Sequence, residues 1–290
     1  MKKKLIAMLA ITVTSAIMLA GCATQAPTQP QEPAATPEAA SQEQAPPEPE
    51  EDEPEAAAEN QWFGETIVMG TNAEFPPFEF IADGGQGAFG QFDGVDVVIG
   101  MRIAEHLGAE LYIEDLPFEG LIMGLAAGQF DFVAAALTVT EERAQSVDFS
   151  IPYYDAYQTI LVVVDNDDIN QATDLTGMLV GVQLGTTGDF AADDLDAEVM
   201  RYNRAVEALI PLMNGQIDAI LVDSITAEFF YSAHPGALRL VRDNEFFGNE
   251  QYAIAVGQGR PELLAAINEV LEEMIENGEI AELVRYYAQY

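Results

Sequence analysis

From Trp62 onward, short apolar runs of strand length alternate with longer amphipathic stretches of helical period. The first round of this pattern predicts strands at 66–70, 111–113 and 132–137 and helices at 95–107 and 120–127. The pattern then restarts and predicts strands at 158–164, 180–182, 219–222 and 252–256. It also predicts helices from 188 onward, at 205–213, and as two closing helices within 261–287. Two rounds of strands and helices indicate an α/β class with two lobes rather than one continuous sheet.

Two local signals refine these elements. Gly108 directly follows the helix at 95–107, where a glycine commonly ends a helix in the left-handed conformation. The run at 132–137 is apolar at nearly every position, which predicts a strand that is buried on both faces.

The N-terminus has a different apolar pattern. Three lysines precede an apolar run at 5–20, which closes with Leu19-Ala20-Gly21-Cys22. This layout is typical of a secretory signal, here spanning 1–21. Its ending resembles a bacterial lipoprotein box, which implies lipidation of Cys22 and anchoring to the extracytoplasmic face of the cell membrane. The alternative is a short transmembrane anchor with an incidental cysteine, but that needs about 20 apolar residues.

Composition and charge narrow the set of partners. The chain carries 49 acidic and 11 basic side chains, a net charge of −38, and its only lysines are at positions 2–4. Such a surface repels nucleic acid and anionic lipid, so neither is a predicted partner. Cys22 is the only cysteine, so no internal disulfide is possible. Residues 22–60, rich in Pro, Glu, Ala and Gln, are predicted to be a disordered acidic linker, with a hidden binding motif as the alternative.

Motifs of several enzyme classes are missing from the chain. It has no phosphate-binding loop, no dinucleotide-binding glycine motif after a predicted strand, and no Gly-x-Ser-x-Gly elbow. His106 and His234 have no second histidine or cysteine at ligand spacing, so no metal and no cofactor are predicted. A calcium site made of carboxylates stays open as an alternative, although no EF-hand loop is present.

Aromatic side chains follow two of the predicted strands. Phe75 comes shortly after the strand at 66–70, and Phe118 comes after the strand at 111–113. Ligands of open α/β sheets bind at the carboxyl ends of the strands, so both residues are candidate ligand contacts, with a place in the core as the alternative. For Phe78 we favour the core.

Arg143 follows the run at 132–137 after a few polar residues. A guanidinium beside a strand end can hold a carboxylate through two parallel hydrogen bonds, which lysine cannot do. The alternative is a salt bridge on a helix surface with Glu141 or another neighbour. The pattern therefore offers one candidate anion-binding side chain in the first lobe.

The second lobe offers a complementary set of groups. Thr186 and Thr187 lead from the strand at 180–182 into a helix, whose first N–H groups favour an anion, and the same threonines can cap that helix. Asp223 ends the strand at 219–222, and it can accept an ammonium group or cap the helix that begins at Ser224. Together, the arginine, the aspartate, the hydroxyls and the aromatics match the carboxylate and ammonium of a free α-amino acid.

Several ordered motifs resemble one protein family, that of the periplasmic-type amino-acid-binding proteins of ABC importers (solute-binding protein family 3). The motifs begin at Gly70-Thr71-Asn72, Gly94-Val95-Asp96, Phe118-Glu119-Gly120, Thr138-Val139-Thr140, Val147-Asp148-Phe149, Val182-Gln183-Leu184 and Asp218-Ala219-Ile220. The resemblance covers roughly 67–290 and implies a two-lobed periplasmic-binding-protein-like fold (type II) with hinge-connected lobes. Residues 61–152 plus 253–290 would form lobe 1 and residues 158–248 lobe 2, with hinge crossings near 153–154 and 250–252.

The resemblance also implies how the charged ends of an amino acid would be held. Arg143 would bind the α-carboxylate, together with the backbone N–H groups of Thr138 and Thr187. The α-ammonium would be received by the carboxylate of Asp223, the hydroxyl of Thr138 and the carbonyl of Ala136.

The same resemblance places the ligand's side chain between Phe75 and Phe118, with Asn72 and Gln183 at its far end. Thr186 completes the predicted set of ligand-binding residues. Many members of the family carry Asp where this chain has Asn72, and that carboxylate often serves a cationic side chain. The neutral pair therefore favours a polar uncharged or amide side chain.

The predicted function is that of an extracytoplasmic lipoprotein that captures a free L-amino acid and delivers it to the permease subunits of an ABC importer. We expect a monomer that is not an enzyme. Two alternatives stay open. One is an enzyme resembling cyclohexadienyl dehydratases on the same scaffold, and the other is a receptor for a separate signalling partner.

Overall fold

The computed structural model describes residues 61–288. The predicted signal peptide at 1–21, the lipidation at Cys22, the linker at 22–60 and the final two residues of lobe 1 lie outside the described residues. No helix within 61–288 has the length and apolar character needed to cross a membrane.

Fifteen strands and eight helices follow one another along the described residues. The strands are β1 (Thr66–Thr71), β2 (Glu74–Phe75), β3 (Glu79–Ile81), β4 (Phe92–Asp93), β5 (Glu110–Asp115), β6 (Phe132–Val133), β7 (Val147–Phe149), β8 (Tyr154–Ala156), β9 (Gln158–Val163), β10 (Leu179–Gln183), β11 (Glu198–Tyr202), β12 (Ala219–Asp223), β13 (Leu238–Arg242), β14 (Glu250–Tyr252) and β15 (Ala255–Gly257). The helices are α1 (Val95–Leu107), α2 (Leu121–Ala126), α3 (Thr187–Asp194), α4 (Leu209–Met213), α5 (Ser224–Ala233), α6 (Asn244–Phe247), α7 (Pro261–Glu276) and α8 (Glu279–Tyr287).

The first lobe is built on a five-stranded sheet with the order β5-β1-β6-β15-β7. Strand β1 pairs in parallel with β5 and β6, whereas β15 runs antiparallel to both β6 and β7. Since β15 comes from the C-terminal part of the chain, this sheet is discontinuous in sequence. Helix α1 packs against α7 and α8, so the start and the end of the folded part share one core.

The second lobe is built on a five-stranded sheet with the order β11-β10-β12-β9-β13. Strand β10 pairs in parallel with β11 and β12, and β9 pairs antiparallel with β12 and β13. All five strands lie between Gln158 and Arg242. Two separate mixed sheets with helices against them confirm the predicted two-lobed α/β architecture.

Two short antiparallel strands, β8 and β14, lie between the segments that form the two sheets. Their register pairs Tyr154 with Tyr252, and the two rings stack with centroids 5.6 Å apart. Phe78 contacts both rings edge-on, at 5.0 and 5.1 Å, and is fully buried, which confirms its predicted place in the core. The numerical lobe boundaries stay a prediction.

The helix predicted at 95–107 is confirmed as α1, and Gly108 ends it in the left-handed conformation with a φ of 63°. The prediction of a single strand at 132–137 is wrong, although the whole run is buried. Strand β6 ends at Val133, and three residues later Ala136 takes a φ of +44°, which breaks the extended backbone of the run. Thr138 then bridges to Tyr252 near the β8–β14 pair.

The strand predicted at 252–256 is also interrupted. It is two strands, β14 and β15, which belong to different sheets. Between them, the N–H of Ala253 donates to the carbonyl of Leu137 and the N–H of Ile254 donates to the hydroxyl of Ser150. The helix predicted at 205–213 is a 3₁₀ turn at Ala205–Ala208 followed by α4. The runs at 132–137 and 252–256 are buried as expected, but hydrogen bonds to distant residues divide the second of them.

Candidate ligand-binding site

The predicted site residues surround one cavity between the lobes. Its lining consists of Phe75, Phe118, Ala135, Ala136, Thr138, Arg143, Gln183, Thr186, Thr187 and Asp223. The structure therefore brings nine of the ten predicted residues to one place and adds Ala135, while Asn72 lies directly behind Gln183. The cavity volume is about 20 Å³, which is room for a single water molecule. In this conformation the cavity is therefore too small for an amino acid.

Arg143 is held in this cavity by backbone carbonyls from both lobes. It lies in a 3₁₀ turn and is only 8% exposed. Its Nη1 donates to the carbonyl of Thr138 at 2.7 Å, and its Nη2 donates to the carbonyl of Gly185 at 3.1 Å. The guanidinium also lies over the ring of Phe118, 5.4 Å from its centroid.

Arg143 has no carboxylate within 4 Å anywhere in residues 61–288. The alternative of a surface salt bridge with Glu141 is therefore wrong. Burial lowers the pKa of Arg143, and the negative charges of Asp223 and Glu250 oppose that effect. A guanidinium stays charged even then, so the cavity contains a buried cation whose counter-charges lie at a distance.

Asp223 ends β12, and its carboxylate lies against Tyr252 of strand β14. The carboxylate accepts a hydrogen bond from the hydroxyl of Tyr252 at 2.6 Å and contacts Nε2 of Gln158. It makes no capping bond to the described backbone of α5, so the capping alternative is not supported. Burial, followed by the charge of Glu250, raises the pKa of Asp223 to about 7.

Only one of the two threonines, Thr186 and Thr187, caps helix α3. Thr186 caps α3, because its hydroxyl accepts from the N–H of Asp189 at 3.3 Å, and it also donates to the carbonyl of Gln183 at 2.8 Å. Thr187 instead donates its hydroxyl to Oε2 of Glu250 at 3.1 Å. The carboxylate of Asp189 accepts from the N–H of Gly185, which holds this loop against the cavity.

Two buried amides close the far end of the cavity. Gln183 donates from Nε2 to Oδ1 of Asn72 at 2.9 Å, and Asn72 donates from Nδ2 to the carbonyl of Leu116 at 3.0 Å. Behind Asn72 lies a second, open cavity lined by Asn72, Glu74, Asp115, Leu116, Pro117, Asn203, Arg204 and Glu207. At its mouth, an ion pair of 3.3 Å joins Arg204 of the second lobe to Glu74 of the first.

Behind the cavity wall, a buried carboxyl pair fixes the backbone at Ala136. Asp96, in the first turn of α1, accepts from the N–H of Ala136 at 2.7 Å and from the hydroxyl of Tyr153 at 2.8 Å. Glu79 lies beside Asp96, and its oxygens have no donor among the described residues. Burial raises the pKa of Asp96 to about 7, and burial together with the charge of Asp96 raises that of Glu79 well above its usual range. Burial therefore favours the protonated form of both carboxyls.

This pair should make stability fall as the pH rises. Its carboxyls bind a proton more tightly in the folded than in the unfolded protein, so between about pH 4 and pH 7 the folded state is the more protonated one. Each such proton lowers the free energy of unfolding by about 1.4 kcal/mol per pH unit in that window. Glu79→Gln removes one of the two carboxyls and supplies an amide that can donate to Asp96, so we expect the contribution of Glu79 to disappear while that of the buried Asp96 is reduced.

The test is urea unfolding at several pH values for the wild-type protein, for Glu79→Gln and for the exposed control Glu272→Gln. The difference in the free energy of unfolding between Glu79→Gln and wild type should grow with pH, whereas that for Glu272→Gln should stay flat. Parallel curves for all three proteins would contradict a raised pKa at Glu79.

Sequence reasoning assigned no site role to Gln158 and Glu250, whose side chains adjoin the cavity. Nε2 of Gln158 lies 3.1 Å from both Oε2 of Glu250 and Oγ1 of Thr187. Glu250 was predicted only as part of the hinge. Its signal in the sequence is an acidic residue two positions before Tyr252, but its contacts are 63 to 112 residues away in the chain, so only the tertiary structure reveals them.

Comparison with known proteins identifies the family. Residues 67–290 match the model of the bacterial extracellular solute-binding proteins, family 3. A probable histidine-binding protein of Campylobacter jejuni is 30% identical over 224 residues, which cover 77% of this chain and 84% of that protein. The arginine-binding extracellular protein ArtP of Bacillus subtilis is 31% identical over 221 residues, covering 75% and 84%.

Solved structures agree with this match. An ancestral arginine-binding protein bound to glutamine superimposes with a TM-score of 0.69 at 36% identity, covering 77% of this chain and 97% of that one. This chain is a member of family 3 of the bacterial extracellular solute-binding proteins.

Proposed function

We propose that the protein captures a free L-amino acid outside the cytoplasm and delivers it to an ABC importer. The observation that carries this proposal is the buried guanidinium of Arg143, which has no carboxylate within 4 Å in the described residues and lies in the same cavity as Asp223. A zwitterion supplies both missing partners, because its carboxylate pairs with the arginine and its ammonium with the aspartate.

The proposed binding mode uses groups from both lobes. Arg143 and the N–H groups of Thr138 and Thr187 receive the carboxylate, while Asp223, the Thr138 hydroxyl and the Ala136 carbonyl receive the ammonium. Because the cavity volume is about 20 Å³, the ligand enters an open form, and the lobes then close on it. Closure forms the contacts that join the lobes, including the bond from Arg143 to the carbonyl of Gly185.

The proposed ligand has a polar side chain that carries N–H donors. It would lie between Phe75 and Phe118 and replace the hydrogen bond between Gln183 and Asn72. An amide fits this neutral pair, and a guanidinium could reach further toward the carboxylates of the second cavity. The two relatives are named for histidine and arginine binding, and the related ancestral structure contains glutamine. L-Glutamine and L-arginine are therefore the first candidates.

The remaining parts of the proposal concern the whole chain. The protein acts as a monomer and as a binding protein rather than an enzyme, and lipid on Cys22 anchors it to the extracytoplasmic face of the membrane. Lobe 1 comprises 61–152 plus 253–290, and lobe 2 comprises 158–248. The long linker at 22–60 lets the binding lobes reach the permease.

The test is a thermal-shift screen of the purified full chain against the common L-amino acids and L-cystine, followed by calorimetry. An amino acid present at 100 times its dissociation constant should stabilise the protein by about 2.7 kcal/mol, which raises the melting temperature by several degrees. The D-enantiomer serves as the matched control and should give a much smaller shift. A flat response across the whole set would contradict amino-acid binding, and turnover of prephenate would favour the enzyme alternative.

A further inference from the structure

Glu250, on hinge strand β14, extends its carboxylate to groups of both lobes. Its Oε2 accepts from the hydroxyl of Thr187 and from Nε2 of Gln158, each at 3.1 Å, and lies 3.4 Å from the hydroxyl of Thr138. Thr138 and Thr187 both line the cavity. The carboxylate of Glu250 is therefore one hydrogen bond away from the cavity wall on two sides.

Glu250 also shares a donor with Asp223. Nε2 of Gln158 contacts the carboxyls of both residues, so the two carboxyls lie close together at the edge of the cavity. The site thus contains two acidic side chains and the single cation Arg143, which pairs with neither of them within 4 Å in the described part of the chain. A zwitterionic ligand paired with Arg143 and Asp223 alone would leave the second carboxyl without a counter-charge.

The side chain of Gln158 also indicates that a group with several N–H donors binds beside the two carboxyls. Its side chain is almost fully buried, yet its Oε1 has no hydrogen-bond partner among residues 61–288. A buried acceptor without a donor is costly. An ammonium group offers three N–H donors, and a repacked amide could accept one of them.

We infer that Glu250 is a second ammonium-binding residue, which forms with Asp223 a paired-carboxyl pocket for the α-ammonium of the bound amino acid. This inference rests on the proposed function. On binding, the ammonium takes the place of the threonine hydroxyls at Oε2 of Glu250, and those hydroxyls turn to the ligand. Because Glu250 lies on strand β14, the bound ammonium also connects this strand to groups of both lobes.

Proton exchange accompanies this pairing. Burial and the charge of Glu250 raise the pKa of Asp223 to about 7. The other groups that act on the pair are the guanidinium of Arg143, the hydroxyl of Tyr252 and, more remotely, the buried carboxyl of Glu79. Below pH 7 the carboxyl of Asp223 is therefore mostly protonated, and an incoming ammonium displaces that proton. Affinity for an amino acid should rise with pH from about 5 to 7.5.

The experiment compares the full chain with Glu250→Gln, Asp223→Asn and the exposed control Glu245→Gln. The probes are L-glutamine and L-arginine together with their α-hydroxy acid analogues, which lack the ammonium. Calorimetry at pH 6 in two buffers of different ionisation enthalpy counts released protons. Wild type and Glu245→Gln should release up to one proton on binding an amino acid and none on binding a hydroxy acid.

Glu250→Gln should bind the amino acid at least about tenfold more weakly, release fewer protons than wild type, and bind the hydroxy acid almost as well as wild type. Equal losses for amino acid and hydroxy acid would mean that Glu250 only shapes the hinge, and unchanged binding would mean that it has no role. Either result overturns the inference while leaving amino-acid binding intact. If wild type binds neither amino acid, the proposed ligand class is wrong, which is a separate outcome.

Discussion

Replacing Arg143 by alanine is expected to lower the affinity for the bound amino acid by two to three orders of magnitude. The ligand carboxylate would be buried in the closed cleft without its cation, a loss of roughly 3–4 kcal/mol. The same change removes the hydrogen bonds to the carbonyls of Thr138 and Gly185. Because Gly185 belongs to the second lobe, closure itself should also be less favourable.

Arg143→Lys distinguishes charge from geometry. Lysine keeps the positive charge but cannot donate in parallel to a carboxylate while also holding two carbonyls. We expect its affinity to lie between those of Arg143→Ala and wild type. Arg242→Ala is the matched control, since Arg242 is an exposed arginine of the second lobe that pairs with Glu228. Calorimetry with the amino acid found in the screen measures all four proteins, and wild-type affinity in Arg143→Ala would refute the assignment of the carboxylate site.

Gly94→Ala is expected to destabilise the fold more than any of the site substitutions, by about 4 kcal/mol or more. Gly94 precedes α1 with a φ of +119°, a conformation that is nearly exclusive to glycine. An added Cβ would lie 2.2 Å from the carbonyl oxygen of Phe78, which is backbone and cannot move aside. The close contact between Gly94 and Phe78 also lets the N–H of Asp96 donate to that carbonyl oxygen at 2.8 Å.

Gly94→Ala should also affect the binding site. Asp96 holds Ala136 in place, so a displaced start of α1 should weaken ligand binding as well as folding. Gly90→Ala is the control, because Gly90 also has a positive φ, of +61°, but no atom lies within 4 Å of the added Cβ. That change should cost only about 1–2 kcal/mol. Urea unfolding measures both variants, and equal losses would show that crowding at Phe78 does not matter.

The pattern of residues was sufficient to predict those features that depend on contacts between neighbours in the sequence. Helix α1 has the predicted bounds because its apolar face, its first turn and the capping Gly108 all lie within fifteen residues. The cap at Thr186 and the burial of 132–137 were also predicted from the local sequence. Resemblance to a family then supplied the candidate residues around the cavity, because ordered motifs can preserve a site even when their spacing gives no geometry.

Tertiary structure decided the rest. The sequence by itself determined the α/β class, the alternation of elements and which runs are apolar, because these depend on neighbours along the chain. Whether a buried run stays in one sheet depended on Ala136 and on bonds to the distant residues 252–254. The bond from Arg143 to Gly185, the amide pair of Asn72 and Gln183, and the contact between Glu250 and Thr138 join residues 42 to 112 positions apart in the chain. Such contacts exist only after the two lobes have folded and closed, so only the structure could reveal them.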